Sequence, residues 1–354
     1  MRRLRSHLPS FARAPGPGPV PVAARQAGMA VISALLVVAA VSLIAAGMID
    51  RQATRVRTLE SEQARVQARW LLSGGMDWAR ATLRGEARRS SVTHNGQLWA
   101  TPITDLRISE EGAARQAVFS GRAEDEQGKF NLQNLARDGQ VLPEQVQALS
   151  RLLQSLRLPA ELAPRIAERM ARAQSRPASS RTDGESGAAQ TDGDGDAESG
   201  TDTGTPSPSG GRAGTALAPG LRSIDDLRGM RGLDESALTA LTPYLTVLPA
   251  RTAINVNTAP AEVLATLSPA LSLSLAMSVA DQRDRGQTFN NRADFINRLA
   301  NPEIEIGSDA VAVDSDWFAV FGTVRLDRAT VDMRALLQRD GQNMPRVIWM
   351  MEVL

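Results

Sequence analysis

The sequence contains no cysteine, and only two of its 354 residues are histidines, His7 and His94. The lack of cysteine excludes disulfide bonds, cysteine-ligated zinc, iron–sulfur clusters and thiol catalysis. His7 lies in a leader rich in arginine, proline and glycine, so catalytic machinery of the serine–histidine type could use one histidine at most. We therefore expect a protein that is not an enzyme.

Other residue types are scarce as well. Lys129 is the only lysine, aromatic residues make up 4% of the chain, and the net charge is +1. This balance favours neither nucleic acids nor acidic partners. The tryptophans are too scattered for a stacking platform, and we expect them in the core or at partner contacts. They are Trp70, Trp78, Trp99, Trp317 and Trp349.

The chain does contain a long apolar run, 21 uncharged residues from Met29 to Ile49, between Arg25 and Asp50. It is long enough to span a bilayer and longer than the core of a cleavable secretion signal. It could be a signal, a plain membrane anchor, or a segment that is cut after Gly28 and used in another way. The leader carries arginines and no acidic residue, so it should stay in the cytoplasm, with the chain after Ile49 on the other side.

No proline occurs from Arg51 to Ala100, so a helix is predicted from Met29 to near Leu83. Beyond the run, its apolar residues recur at helical spacing: Val56, Leu59, Val66 and Trp70. Two strands are predicted at "QLWATPITDLRI" and "RQAVFSGRA", and three more at "DWFAVFGTVRL", "ATVDMRALLQRD" and "PRVIWMMEVL". The sequence between these groups is mainly helical. The predicted class is α+β, with one sheet on a long N-terminal helix and an α-helical domain inserted between its strands.

From about Ser175 to Gly220 the composition collapses to small and polar residues, which predicts a disordered insert. Within it, acidic residues alternate as in a calcium loop, and carboxylates are suitable calcium ligands. The run lacks flanking helices and a glutamate at loop position twelve, so a solvated linker is the competing interpretation. The weak candidate ligands are Asp192, Asp194, Asp196 and Glu198.

Helical sequence resumes at "SIDDLRGMRGLDESALTALTPYL", where Ser223 is expected to cap a helix with Asp226 three residues on. At "INVNTAP", Asn257 and Thr258 can cap the next helix, with Pro260 in its first turn.

Residues 254–298 have the rhythm of a helix-hairpin-helix module, which grips phosphates with backbone N–H groups of a glycine-rich hairpin. Here the hairpin reads "SPALSLS", and Pro269 removes one donor. No lysine or arginine occurs between Arg251 and Arg283. We therefore predict the fold of this module without DNA binding.

The motifs together resemble the K-type minor pseudopilins of type II secretion systems (general secretion pathway protein K). The resemblance rests on "RQAGMAVISALLVVAAVSLIAAGMIDRQ", "GKFNLQNL", "SIDDLRGMRGLDESALTALTPYLTVLP", "INVNTAPAEVLATL" and "DWFAV", in the family's order. It implies a pseudopilin fold, in which a long N-terminal transmembrane helix packs on an antiparallel sheet. The large inserted α-helical domain would contain the helix-hairpin-helix or SAM-like segment.

The resemblance also implies that prepilin peptidase cuts between Gly28 and Met29 and that Met29 is then N-methylated. Most pseudopilins carry Glu at the fifth mature position, where this chain has Ser33. In the pseudopilus shaft that Glu is thought to meet the N-terminal amine of the subunit above. A tip subunit has no amine above it, and an unpaired carboxylate in lipid is costly. Ser33 therefore fits a tip subunit.

The implied function is a tip and initiation subunit of the pseudopilus, supporting export of folded proteins across the outer membrane. The implied partners are the minor pseudopilins I and J, the major pseudopilin, prepilin peptidase and the inner-membrane secretion platform, with no nucleic acid. Calcium is associated with this family, but the family's pattern does not place its ligands on this sequence. The alternative is a membrane-anchored helix-hairpin-helix protein of DNA uptake or DNA binding.

The predicted organisation follows from these assignments. The bulk of the chain would lie in the periplasm, with a single-pass anchor in the bacterial inner membrane. The segments are a leader at 1–28, the transmembrane and periplasmic parts of the first helix at 29–49 and 50–89, the first pseudopilin strands at 90–128, the inserted α-helical domain at 129–249 with its disordered insert at 175–220, a second helical segment at 250–305 and the C-terminal strands at 306–354.

Overall fold

The computed structural model describes residues 23–108, 116–174, 216, 218–327 and 329–353. Within these ranges the helices are α1 (Ala23–Arg89), α2 (Pro143–Ser155), α3 (Leu162–Ala173), α4 (Glu235–Leu241), α5 (Ala261–Leu264), α6 (Leu273–Asp284) and α7 (Arg292–Leu299). The strands are β1 (Ile103–Ile108), β2 (Ala117–Asp125), β3 (Phe130–Asn131), β4 (Ala136–Arg137), β5 (Gln140–Val141), β6 (Leu245–Thr246), β7 (Ile254–Asn255), β8 (Val311–Ala312), β9 (Trp317–Leu326), β10 (Ala329–Gln338) and β11 (Arg346–Val353).

The predicted N-terminal helix is confirmed, and α1 is longer at both ends than the sequence suggested. It ends at Arg89, where two basic residues stand in the last turn and suit the negative end of the helix dipole. The chain divides into two compact units, Met1–Gln63 and Ala64–Leu354. The predicted leader up to residue 22 and the insert from 175 to 215 lie outside the described residues.

The part of α1 within the second unit packs on the sheet through small residues. Ala64, Ala68 and Leu72 are buried against a cluster that includes Val324 and Val331. Alanines at this spacing form a flat stripe, which lets the helix lie close to the strands. The larger residues expected to mark the apolar face are not buried there, and the Trp70 side chain is 75% exposed.

Gly75 in α1 has a packing role that outweighs the cost of glycine in a helix. A Cβ built on Gly75 would lie 2.6 Å from the ring of Phe119 on β2, and one built on Gly121 would lie 2.9 Å from the same ring. The ring therefore fills the space that both glycines leave open. A larger residue at Gly75 would push α1 away from the sheet.

The main sheet has the strand order β1-β2-β9-β10-β11, and all four pairings are antiparallel. Strands β2 and β9 are neighbours, with Ala117 opposite Leu326 and Asp125 opposite Phe318. The chain between Asp125 and Trp317 therefore leaves the sheet at the end of β2 and returns to it at the adjacent start of β9. This confirms the prediction of a helical domain inserted between the strands.

The insertion has its own hydrophobic core. The apolar faces of α2 and α3 meet through residues such as Leu149, Leu153, Ile166 and Met170, all of which are buried. Helices α4 to α7 add side chains to the same cluster. Because this core does not include residues of the main sheet, the insertion and the sheet need separate contacts to hold them together.

The predicted helix at Ser223 forms only one turn. The capping box between Ser223 and Asp226 is present, but the turn that it caps is a 3-10 helix, Ile224–Leu227. Gly229 and Gly232 both have positive φ angles and break the helical path before α4 begins. The two glycines therefore override the helical pattern of the surrounding residues.

Candidate functional site

The apolar run lies in α1, and its side chains are solvent-exposed in the described structure. Met29 is 75% exposed and Ile49 is 64% exposed. Within the described residues, α1 is the one helix that is long and apolar enough to cross a membrane. Apolar side chains without protein neighbours need lipid or other helices around them, so this run can serve as an anchor.

Ser33 lies in the first part of this run and forms hydrogen bonds within its own helix. Its hydroxyl donates to the carbonyl oxygen of Met29 at 2.7 Å and approaches that of Ala30 at 3.1 Å. The side chain is therefore satisfied without a partner from outside, as a polar residue in lipid must be. Gly28 lies inside α1, next to Met29.

A buried carboxylate joins the sheet to the insertion. Asp125, at the end of β2, accepts hydrogen bonds from the Gln127 backbone and from the side chains of Asn255, Thr258 and Ser315, at 2.6–2.9 Å. Burial raises the pKa of Asp125, although the four donors act in the opposite direction. The carboxylate is enclosed and fully bonded, so it fastens segments of the chain rather than offering a reactive group.

The asparagines of "INVNTAP" are cross-links and not helix caps. Asn255 donates from Nδ2 to the Thr93 carbonyl at 3.0 Å as well as to Asp125. Asn257 bonds both the N–H and the C=O of Phe289, at 2.8 and 2.9 Å. The prediction that Asn257 and Thr258 cap α5 was wrong, because Pro260 occupies the N-cap position and long-range partners take these side chains.

The motif "FNLQNL" uses asparagine in the same way. Asn131 donates from Nδ2 to the Ala250 carbonyl at 2.8 Å, and its Oδ1 accepts from the Leu248 N–H at 3.2 Å. Asn134 bonds both the N–H and the C=O of Thr252. An amide side chain can pair with a backbone N–H and C=O at once, which explains why two short motifs carry several asparagines.

The only lysine is partly buried and lies beside the same junction. Lys129 donates from Nζ to Glu126 at 2.8 Å and to Glu124 at 3.0 Å, and Glu126 in turn accepts from the Thr246 hydroxyl. Burial alone would lower the pKa of Lys129, but the two carboxylates hold it above its ordinary value. These two ion pairs, together with the Glu126–Thr246 hydrogen bond, tie the end of β2 to β6 in the insertion.

The hairpin between α5 and α6 has few free donors. The N–H of Leu271 bonds the Ser268 carbonyl at 3.1 Å, and that of Ala270 approaches the Ser268 hydroxyl at 3.4 Å. The sequence analysis did not predict one contact of this hairpin. Arg151 from α2 donates a hydrogen bond to the Thr266 carbonyl at 2.8 Å. A cation thus reaches the hairpin from a distant part of the chain.

The calcium candidates Asp192, Asp194, Asp196 and Glu198 lie outside the described residues. Within the part of the chain that the structure describes, no group of three or more acidic or histidine side chains could hold a metal ion.

An N-terminal helix apolar enough to cross a membrane, together with an antiparallel sheet that packs on residues 64–72 of α1, is typical of the pseudopilin fold, here with a helical insertion. Two family models described as Type II secretion system (T2SS), protein K, match residues 128–250 and 254–314. The type II secretion system protein K of Pseudomonas aeruginosa (strain PAO1) is 30% identical over 330 residues, covering 91% of this chain and 92% of that protein. The chain belongs to the type II secretion system protein K family.

A second relative agrees with this assignment, and a solved structure has a similar fold. The type II secretion system protein K of Klebsiella pneumoniae is 24% identical over 331 residues, covering 90% of this chain and 94% of that protein. The fold is similar to a chain in the crystal structure of the GspK-GspI-GspJ complex from the enterotoxigenic Escherichia coli type 2 secretion system. That match has a TM-score of 0.57 at 20% identity and covers 83% of this chain and 99% of that chain.

Proposed function

We propose that this protein is a minor pseudopilin at the tip of the type II secretion pseudopilus, where it helps to initiate assembly and supports export of folded proteins. The observation that carries the proposal is the exposed apolar run of α1, which has an uncharged Ser33 at the fifth position after Gly28. The bulk of the chain would lie in the periplasm, with the segment boundaries that the sequence predicts. Its role would be structural and not enzymatic.

Its partners would be the I- and J-type minor pseudopilins, together with the major pseudopilin, prepilin peptidase and the inner-membrane platform. The fold likeness to a chain of the GspK-GspI-GspJ complex supports the first two. The outward face of α1 also supports a contact with other helices, because Val66 and Trp70 are exposed there. Deleting the gene that encodes this chain should stop secretion, and expressing the chain in the deletion strain should restore it.

We expect Ser33→Glu to reduce assembly. The carboxylate would enter lipid without a partner amine, at a cost of about 2–3 kcal/mol on insertion scales. Secretion and co-purification with the minor pseudopilins measure the effect. Ser33→Ala is the matched control and should be nearly silent, since it removes only a bond within the helix. If Ser33→Glu improves incorporation along the shaft while Ser33→Ala abolishes secretion, the tip assignment fails.

We expect negligible binding to duplex DNA at physiological salt. Pro269 and the internally bonded N–H groups leave the hairpin few backbone donors for a phosphate. Fluorescence anisotropy with labelled duplex measures this, and Arg151→Gln should leave the signal unchanged. Binding tighter than ~1 µM with a steep salt dependence would instead support the DNA-uptake alternative.

A further inference from the structure

A groove in the helical insertion is lined by three arginines from separate segments. Arg137 ends β4, Arg151 lies on α2, and Arg251 follows β6. The groove has a volume of about 540 Å³, and the hairpin residues Thr266 and Pro269 form another wall. The arginines therefore face one shared space.

These arginines have no acidic partner among the described residues. No carboxylate oxygen lies within 4.0 Å of a guanidinium nitrogen of any of the three, although Glu144 and Asp309 also line the groove. The Nε atoms of Arg151 and Arg251 are buried and bond to no acceptor.

A carboxylate ligand would accept hydrogen bonds from the unpaired Nε atoms and would balance the positive charge of these arginines. Burial lowers the pKa of Arg151, and no carboxylate opposes the effect. A carboxylate can accept two parallel N–H bonds from a guanidinium and supplies the missing negative charge. The groove is therefore suited to an acidic peptide segment.

The chain carries an acidic segment whose two ends lie beside this groove. Gln174 precedes the insert, and its side chain bonds the Ala136 carbonyl at 3.0 Å and the Gly139 N–H at 3.3 Å, on either side of Arg137. After the insert, the N–H of Ala218 bonds the Arg172 carbonyl at 2.9 Å. Both ends of the insert are thus tied near the strand that ends in Arg137.

Between these ends, Thr182–Gly211 contains no lysine or arginine. Asp192 is 192 − 174 = 18 residues beyond Gln174, and a chain of that length reaches up to ~60 Å. A tethered segment also binds at a high effective concentration, on the order of millimolar. The acidic residues of the segment are Asp183, Glu185, Asp192, Asp194, Asp196, Glu198 and Asp202.

We propose that the groove binds the chain's own acidic run, Thr182–Gly211, through carboxylates bonded to Arg151 and Arg251. The run alternates Asp with Gly at 192–196, so carboxylates can reach the arginines while small residues pass Glu144 and Asp309. This gives the insert a binding partner within the chain, whereas the sequence left a solvated linker and a calcium loop as the two interpretations.

The absence of cysteine makes a distance measurement straightforward. Gln147→Cys, an exposed residue lining the groove, and Ala197→Cys, within the acidic run, place two spin labels on the full chain in detergent. Double electron–electron resonance should give one short, narrow distance distribution. Changing Arg151 and Arg251 to Gln should lengthen and broaden it, whereas Arg157→Gln, at an exposed arginine outside the groove, should not.

Because Arg151→Gln also removes the bond to the Thr266 carbonyl, a second variant avoids the folded core. Changing the seven acidic residues of the run to Asn or Gln should lengthen and broaden the distribution in the same way. A parent distribution as broad as that of this variant would overturn the proposal. So would a dipolar signal between chains that each carry one label, since the run of a second copy would then occupy the groove.

Discussion

In cells with an active prepilin peptidase, Gly28→Leu should leave the leader attached and should reduce secretion to background. The resemblance implies that prepilin peptidase cuts after the glycine that precedes the apolar run, so we expect leucine at this position to block the cut. The uncut chain would keep its arginine-rich leader on the cytoplasmic side and lack a free amine at Met29. Intact-protein mass spectrometry should find the parent chain starting at Met29 and the variant retaining the leader.

Gly47, within the apolar run, provides the matched control. Gly47→Leu adds the same side chain within the apolar run, and a Cβ there would meet nothing within 4 Å. This variant should still be cut after Gly28. A mature N-terminus at Ile49 or later in the parent chain would show that the run is a secretion signal, and the pseudopilin assignment would fail.

Lys129→Met should lower the free energy of unfolding by about 3–5 kcal/mol, because it leaves the buried Glu126 carboxylate without its cation. Denaturant titration of the full chain in detergent measures the change, with the buried Trp99 and Trp317 as fluorescent probes. Adding Glu126→Gln should recover part of the loss, since an uncharged pair removes the unpaired charge.

The exposed pair of Arg172 and Glu168, 3.8 Å apart, provides the control. Arg172→Met removes one member of this solvent-exposed pair and should cost less than about 1 kcal/mol. A loss for Lys129→Met no larger than for Arg172→Met would contradict the view that the lysine holds the junction.

The same ion pair predicts how stability depends on pH. The pKa of Lys129 is raised above 10.5, so its contribution is complete below that pH and is lost as pH rises through the higher folded-state value. Burial would raise the pKa of Glu124, but Lys129 and Arg122 hold it below 4.5. The contribution of Glu124 is therefore complete above pH 4.5 and is lost as pH falls through the lower value.

Local signals in the sequence identified α1, the strands of the main sheet and the insertion. The apolar run and the absence of proline predicted α1, and alternation predicted β9, β10 and β11. The capping box at Ser223 followed from a three-residue spacing. These features depend on neighbours within a few residues, so a pattern in the chain is sufficient to recognise them.

The contacts of the junction could not be predicted in this way. Asn255 bonds Asp125, which lies 130 residues earlier, and Asn134 bonds Thr252, which lies 118 residues later. Near the helix start at Pro260, local pattern favoured the cap interpretation of Asn257 and Thr258, and tertiary hydrogen bonds prevailed. The repeated asparagines in two short motifs were the available signal, since amides often pair with backbone groups.

The contacts of Lys129 and the groove lined by arginines could not be predicted from local sequence either. The sequence shows that Lys129 is the only lysine, but it does not show which residues Lys129 contacts. Glu124 lies on the other side of a turn, and Thr246, which bonds the second partner Glu126, is 120 residues away from it. Arg151 and Arg251 are 100 residues apart, and only the folded insertion brings them to one groove.

The most direct test of the proposed function is co-purification of the tagged full-length chain with the I- and J-type minor pseudopilins from detergent-solubilised membranes. The proposal predicts that both partners elute with the chain as one complex, and that Ser33→Ala elutes with them equally well. If the chain elutes without either partner while both are present in the membrane, the assignment as a tip subunit is contradicted.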